Sequence, residues 1–382
     1  MCNNTVYGNV VKLNSRELRG RAIAEQPNQI MRLSGKFYRV ASQSGNGMYN
    51  VSRTKSFAIG WICDCPDFTY REVKCKHIWA VEFSVKLREA IQPKVIEPIG
   101  NVHACIYCHS DQIVRDGLRH NQYGDIQKWN CKLCGRYFTV NIGFERMKHN
   151  PQAVTTAMQL YFSGESLRNT AKSLRLIGVQ VSHKTVLKWI QKYVCLMEKY
   201  LDKIAPNVSD TWRADELFLK VRGNMKYLYA LMDDETRFWI AKEVADTKYT
   251  ADITPLFRQG KDFAGKAPTT ILTDGAFNFD SAFRKAFWRE NKALMIQHIR
   301  HIRMSGDKNN NRMERLNGEI RDREKVMRSL KNEDSPIVAG YRIFHNYVRP
   351  HMALENQTPA EKAGIVVKGS NKWLAIIQNA SS

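Results

Sequence analysis

The chain is 382 residues long and carries 59 lysines and arginines against 37 acidic residues, a net charge of +22. At roughly 100 to 200 residues per domain this length predicts two to four folded units. The positive excess, present in both halves, predicts a polyanionic partner drawn in by steering and counterion release. Met1–Val10 lacks the basic-then-apolar order of a leader, and no run approaches the ~18 apolar residues of a membrane span, so the expected location is cytoplasmic and nucleoid-associated.

In a reducing compartment closely paired cysteines read as metal ligands rather than disulfides. The first unit, residues 1–95, has short strands around Phe37–Val40 and Tyr49–Val51 and closes on Cys63-Asp64-Cys65 and Cys75-Lys76-His77. Three thiolates and one imidazole complete a tetrahedral Zn²⁺ site, and so small a unit draws much of its folding energy from it. The order Cys-x-Cys, Cys-x-His, then Ile78-Trp79-Ala80-Val81, with Arg19-Gly20-Arg21-Ala22-Ile23-Ala24 and Tyr38-Arg39-Val40 ahead of it, resembles the SWIM zinc finger. That resemblance implies binding to DNA or to protein and does not choose between them.

Past Pro93 and Pro98, residues 100–146 hold Cys105-x-x-Cys108 and Cys131-x-x-Cys134-Gly135, a zinc ribbon whose four thiolates bind a second, structural Zn²⁺. Arg115–Asp125 is expected to form a hairpin between the pairs, and His103, His109 and His120 read as surface residues. Cys2 and Cys195 stand alone.

Residues 150–200 change to helical periodicity, with helices expected over 152–162, 165–176 and 182–192 and Ser182 capping the third. Leu167, Ala171, Leu174, Val186 and Ile190 face inward, leaving His183, Lys184, Lys188 and Gln191 outward. This is the layout of a helix-turn-helix whose last helix enters the major groove; a plain three-helix packing unit has the same periodicity.

From Thr211 strands and helices alternate, the pattern of an α/β domain over 205–365, with 366–382 left as a tail. Trp212-Arg213-Ala214-Asp215-Glu216 opens a strand, Lys226–Met232 and Phe238–Val244 continue a meander, and Thr269–Thr273 is an apolar strand with Asp274 at its end. Asn311–Leu330 reads as a helix with Met313, Leu316 and Ile320 in a buried stripe, Glu314 beside it and Arg321 seven residues on over the same face.

Over residues 150–365 these segments are similar to the DDE transposases of prokaryotic insertion sequences. The resemblance is carried by Trp212-Arg213-Ala214-Asp215-Glu216, Thr273-Asp274-Gly275, Asn311-Arg312-Met313-Glu314-Arg315-Leu316-Asn317-Gly318, and the ending Tyr347-Val348-Arg349-Pro350-His351-Met352-Ala353-Leu354 before Thr358-Pro359-Ala360-Glu361. It implies a multidomain α/β protein whose ribonuclease-H-like, integrase-like catalytic domain puts Asp215 on its first strand, Asp274 on its fourth and Glu314 on a late helix. It also implies cleavage of double-stranded DNA at transposon ends and strand transfer into target DNA.

Hard carboxylate oxygens suit two Mg²⁺ or Mn²⁺ ions about 4 Å apart, Asp215 bridging both and Asp274 and Glu314 each completing one. Arg321 is placed on phosphate. Glu216 is expected on the opposite strand face, Asp233 and Asp234 in a hairpin turn, Glu319 around the helix, and His298, His301 and His351 in packing or surface roles. Joining two DNA ends implies a homo-oligomer, a dimer or larger. A transposase-derived DNA-binding regulator without catalysis and a ribonuclease-H-like nuclease are the competing readings.

Overall fold

A computed structural model describes residues 15–26, 29–33, 36–45, 47–54, 57, 59–89, 93–99, 103–121, 124–139, 142–145, 147–274, 276–288, 296–301, 310–327, 330 and 335–382. Met1–Val10, Cys2 and Gly275 lie outside them.

The first unit begins with α1 (Ser15–Glu25), followed by β1 (Ile30–Arg32), β2 (Phe37–Ala41), β3 (Met48–Arg53) and β4 (Trp61–Cys63), an antiparallel sheet in that order, then α2 (Pro66–Arg71) and α3 (Lys76–Glu89). Gly20 lets α1 cross α3 closely, since a Cβ there would lie 2.4 Å from Trp79 Cβ and 2.9 Å from the Lys76 carbonyl. Arg16 fastens α1 to α2 through two bonds to Asp67, of 2.8 and 3.0 Å. Ile23, Tyr38, Val40, Val51, Phe68, Ile78 and Val81 form a small core that also takes in Cys63, Cys65 and Cys75.

After β5 (Lys94–Ile96), the second unit is a three-stranded antiparallel sheet of β6 (Ile113–Asn121), β7 (Gly124–Cys131) and β8 (Tyr137–Thr139). β6 and β7 form the hairpin expected between the cysteine pairs. Its buried core among the described residues is Cys105, Cys131 and Phe138, too small to hold a fold unaided.

The helices α4 (Pro151–Ser163), α5 (Leu167–Leu176) and α6 (His183–Leu201) follow, with Ser182 Oγ accepting from Thr185 N at 3.2 Å. α6 runs past the expected residue 192 because its apolar face continues through Tyr193, Val194, Met197 and Leu201, all buried.

The five-stranded sheet has the order β11-β10-β9-β12-β13, built from β9 (Thr211–Val221), β10 (Asn224–Asp233), β11 (Trp239–Ala245), β12 (Thr270–Asp274) and β13 (Gln297–His301). β9, β10 and β11 are antiparallel, whereas β12 runs parallel to both β9 and β13. Between β11 and β12, α7 (Thr250–Ala264) brings Gly260 against Leu231 and Trp212; α8 (Phe277–Ala286) follows β12. Asp215 therefore lies on the first strand of the domain and Asp274 at the end of the fourth, while Glu314 lies on α9 (Asn311–Met327), the arrangement that the resemblance implies.

The helical unit and this sheet share one hydrophobic core. α10 (Pro336–Ile343) packs on α4 and α6 at Gly340, where a Cβ would be 2.3 Å from Phe162 Cζ and 2.8 Å from Val194 Cγ2. The boundary expected between 150–200 and 205–365 is thus crossed by continuous packing. The expected tail is also folded: after α11 (Pro359–Lys362), β14 (Ile365–Val367) pairs in parallel with β5, and α12 (Lys372–Ser381) buries Trp373, Ile376 and Ile377. Three apolar residues at helical spacing after the Asn371 cap explain why this segment docks. Among the described residues no helix is long and apolar enough to cross a membrane.

Candidate active site and metal centres

β9 and β12 pair through Leu272–Arg213, and β12 continues to Asp274 without a further β9 partner. Carboxylates collect where that pairing ends: oxygen atoms of Asp215, Glu216 and Asp274 all lie within 4.8 Å of one another. Strand alternation sets Asp215 and Glu216 on opposite faces, but at the end of the ladder both faces open on one gap. Glu216, discounted from strand parity, therefore belongs to the acid cluster.

Asp215 Oδ1 accepts from Glu216 N at 3.0 Å and its Oδ2 from Asn317 Nδ2 at 2.9 Å. Asn317, buried one turn after Glu314 on α9, was not singled out from the sequence, although the i, i+3 spacing put it on nearly the same helix face. Burial first, then the charges of Glu216, Asp274 and Glu314, push the Asp215 carboxyl up to about 7. Lys248 offsets part of this negative charge, with its Nζ 2.5 Å from Glu216 Oε1, while Glu216 Oε2 is buried without a hydrogen-bond partner. Crowded carboxylates, one lacking a partner, fit a divalent cation with a preference for hard oxygen ligands. Glu314 is exposed in the first turn of α9, outside the group of three but near enough for its charge to raise Asp215.

Behind Asp274, Thr273 Oγ1 and His298 Nε2 are 2.9 Å apart and His298 Nδ1 is 3.0 Å from Asp280 Oδ1. This half-buried chain gives His298 a place in the packing. Asp233 is fully buried and receives Ser209 N, Ser209 Oγ, Thr236 N and Thr236 Oγ1, which fixes the turn between β10 and β11. Asp234 does more than turn the chain: it pairs with Arg213 of β9 and with Arg312 of α9, the latter at 2.6 Å, and so ties the strand of Asp215 to the helix of Glu314. Glu319 faces away to Arg349 at 2.7 Å, and His351 meets His345 edge to face with ring centroids 4.7 Å apart. Arg321 is exposed on α9. On α6, Lys184, Lys188 and Gln191 are exposed and His183 is half-buried.

The sulfur and nitrogen ligands also assemble. Cys63, Cys65, Cys75 and His77 lie within 4.8 Å of one another, as do Cys105, Cys108, Cys131 and Cys134. His77 Nδ1 stands 3.9 Å from Cys63 Sγ and 4.0 Å from Cys75 Sγ, and the ribbon has Sγ pairs at 3.6 and 3.5 Å. A tetrahedron with Zn–S bonds of 2.3 Å has edges of about 3.8 Å, so both sets fit the ion. The two ribbon knuckles share one backbone form: His109 and Gly135 each follow the second cysteine with positive φ and donate to the carbonyl of the first. His109, His103 and His120 are exposed.

Residues 209–351 match the family described as DDE domain, of the IS240 transposase type, and residues 62–86 match the SWIM zinc finger. The chain is 31% identical over 137 residues to two Staphylococcus aureus proteins, the transposase for insertion sequence-like element IS431mec and the transposase for insertion sequence element IS257 in transposon Tn4003. Each alignment covers 35% of this chain and 59% of the relative, so the chain spans about three fifths of the length of these relatives. Among solved structures, the HTLV-2 integrase catalytic core domain in complex with magnesium is similar at 17% identity and a TM-score of 0.31, over 42% of this chain and 98% of that one. The simian T-cell lymphotropic virus intasome in complex with PP2A regulatory subunit B56 gamma is similar at 16% identity and a TM-score of 0.33, over 55% of this chain and 74% of that one.

Proposed function

We propose that this chain, which belongs to the DDE transposases of insertion sequences and carries a SWIM zinc finger, cleaves double-stranded DNA at the ends of its element and joins them to target DNA. The observation that supports this most is the meeting of Asp215 and Asp274 from two strands, with Asn317 of the Glu314 helix bonded to Asp215. Asp215, Asp274 and Glu314 would hold two Mg²⁺ or Mn²⁺ ions, which supply Lewis acidity to the attacking and leaving oxygens of phosphodiester exchange. Glu216 anchors Lys248 beside them. Arg321 and the outer residues of α6, His183, Lys184, Lys188 and Gln191, are assigned to DNA, with Zn²⁺ in each of the two cysteine-rich sites holding a structural module. Bringing two ends together calls for a dimer or larger assembly.

A substrate panel tests this reading. With Mg²⁺ or Mn²⁺, labelled duplex carrying the flanking ends of the gene should be cut and joined faster than unrelated duplex or RNA. Duplex RNA cut faster than any DNA would favour the nuclease reading, and end binding by the intact protein without cleavage under either metal would favour the regulator.

Two further outcomes follow from the same assignment. Because the net charge of +22 is spread over the chain, affinity for the ends should fall by about 10³-fold between ~50 and ~200 mM salt, as for an interface of several phosphate contacts. A flat log-log plot from fluorescence anisotropy would contradict a phosphate-dominated interface. Asn317→Ala should lower metal affinity or strand transfer by about 10- to 100-fold, the usual effect of removing a group that orients a metal ligand. An unchanged Mn²⁺ titration and rate would show that Asp215 is held without it.

A further inference from the structure

The first zinc-binding module touches the catalytic sheet beside a turn that also restrains the helix of Glu314. Residues 233–237 connect β10 to β11, and their conformation is fixed from inside by the four hydrogen bonds to Asp233. Asp234 turns toward the sheet and pairs with Arg213 and Arg312. Glu235, next along the chain, turns the other way and pairs with Arg32 at the end of β1 in the zinc module. A second link runs alongside: Thr211 Oγ1, at the start of the strand of Asp215, donates to the Leu33 carbonyl at 3.0 Å.

A line of ion pairs thus runs from the zinc module to the active-site helix: Arg32 to Glu235, across one peptide to Asp234, and on to Arg312, two residues before Glu314. The first turn of α9 takes a direct hold on the sheet from the last of these pairs. Of Asn311, Arg312, Met313, Glu314 and Arg315, only Met313 is buried, so apolar burial contributes one side chain there, and Arg312 adds its pair with the Asp234 carboxylate and a bond to the Asp234 carbonyl. The Arg32 and Glu235 side chains keep 24% and 17% of their exposure, which shields the pair from much of the screening that weakens surface ion pairs. Arg32 lies outside the segment that matches the DDE domain.

We propose that Arg32 and Glu235 are positioning residues for Glu314: docking of the zinc module adds an outer restraint to the turn, the turn steadies the entry of α9, and the entry sets the third acid. Its catalytic consequence rests on the assignment of Glu314 proposed above; the structural coupling does not.

The test is a charge swap in the full-length protein. Arg32→Glu and Glu235→Arg, singly and together, are compared for hydrogen–deuterium exchange over 311–320, single-turnover strand transfer, end affinity and zinc content by colorimetric release. Each single change is expected to speed exchange in 311–320 and to lower strand transfer about tenfold, with end affinity and zinc content unchanged. The swapped pair should restore both slow exchange and rate. Exchange over 311–320 that is unaffected by the single changes, or not restored by the swap, overturns the proposal. If a charge reversal costs the protein its zinc, Arg32→Gln and Glu235→Gln carry the same exchange comparison. Should the parent protein prove inactive in strand transfer while the exchange pattern holds, the coupling stands and the functional reading fails.

Discussion

Alanine in place of Asp215, Asp274 or Glu314, one at a time, is expected to lower strand transfer by about 10³-fold or more, on the scale of deleting one principal electrostatic stabiliser of a transition state, while leaving end binding intact. The two effects separate because the basic residues assigned to DNA lie on α6 and elsewhere on the surface, whereas these acids carry charge of the wrong sign to attract phosphate. In the metal-free site they repel it. Asp215 shows the strain of this crowding, its carboxyl pushed up to about 7 by burial and then by neighbouring acids. Bound divalent cations would offset this negative charge, and Asp215→Ala would remove both a proposed ligand and the acceptor of the Asn317 side chain.

Gel analysis of labelled duplex ends under Mg²⁺ and Mn²⁺, beside anisotropy for binding, reads both effects. Retained strand transfer in any one of the three variants would take that acid out of the metal site. Glu216→Gln belongs in the same series: it keeps the shape and weakens the hold on Lys248, so a loss as deep as that of the three alanine variants would make Glu216 a ligand rather than an anchor.

The placement of the candidate acids was legible in the sequence because each sits in a local pattern: a strand opening, a strand end, a helix with an apolar stripe. The two cysteine-rich clusters were legible for the same reason, since their spacing is local. What escaped depends on where elements end or meet. Strand parity puts Glu216 on the wrong face, and only the end of the β9–β12 ladder at Leu272–Arg213 lets it reach the others. Asp234 and Glu235 look like any polar turn until Arg213, Arg312 and Arg32 arrive from three distant segments. The helical unit could be given its helices and its Ser182 cap, but its fusion to the sheet rests on Gly340 accepting Phe162 and Val194, a contact between segments far apart in the chain. The C-terminal helix did leave a signal, in Trp373, Ile376 and Ile377 after Asn371.

Removal of zinc is expected to unfold the first two modules and to spare the core around the five-stranded sheet. In the first module three cysteines and His77 are buried among few apolar side chains, and in the second two of the three buried core residues are themselves ligands. Without the ion, the first would bury thiols and an imidazole and the second thiols alone for no bond in return, against a metal-binding energy of about 10 to 16 kcal/mol in comparable zinc modules. The core that joins α4–α6, the sheet, α10 and α12 contains none of these ligands. Hydrogen–deuterium exchange after treatment with a zinc chelator should therefore show protection lost over 37–83 and 105–139 and kept in β9, β10, β12 and α6. Protection kept everywhere would mean that the eight residues do not depend on a metal, and protection lost everywhere would mean that the core cannot stand without the modules. Between these lies the pattern that the Arg32–Glu235 contact calls for: the core stays protected, but the first turn of α9 exchanges faster, because unfolding the zinc module frees the turn at 233–237 from its outer partner and loosens the helix that carries Glu314.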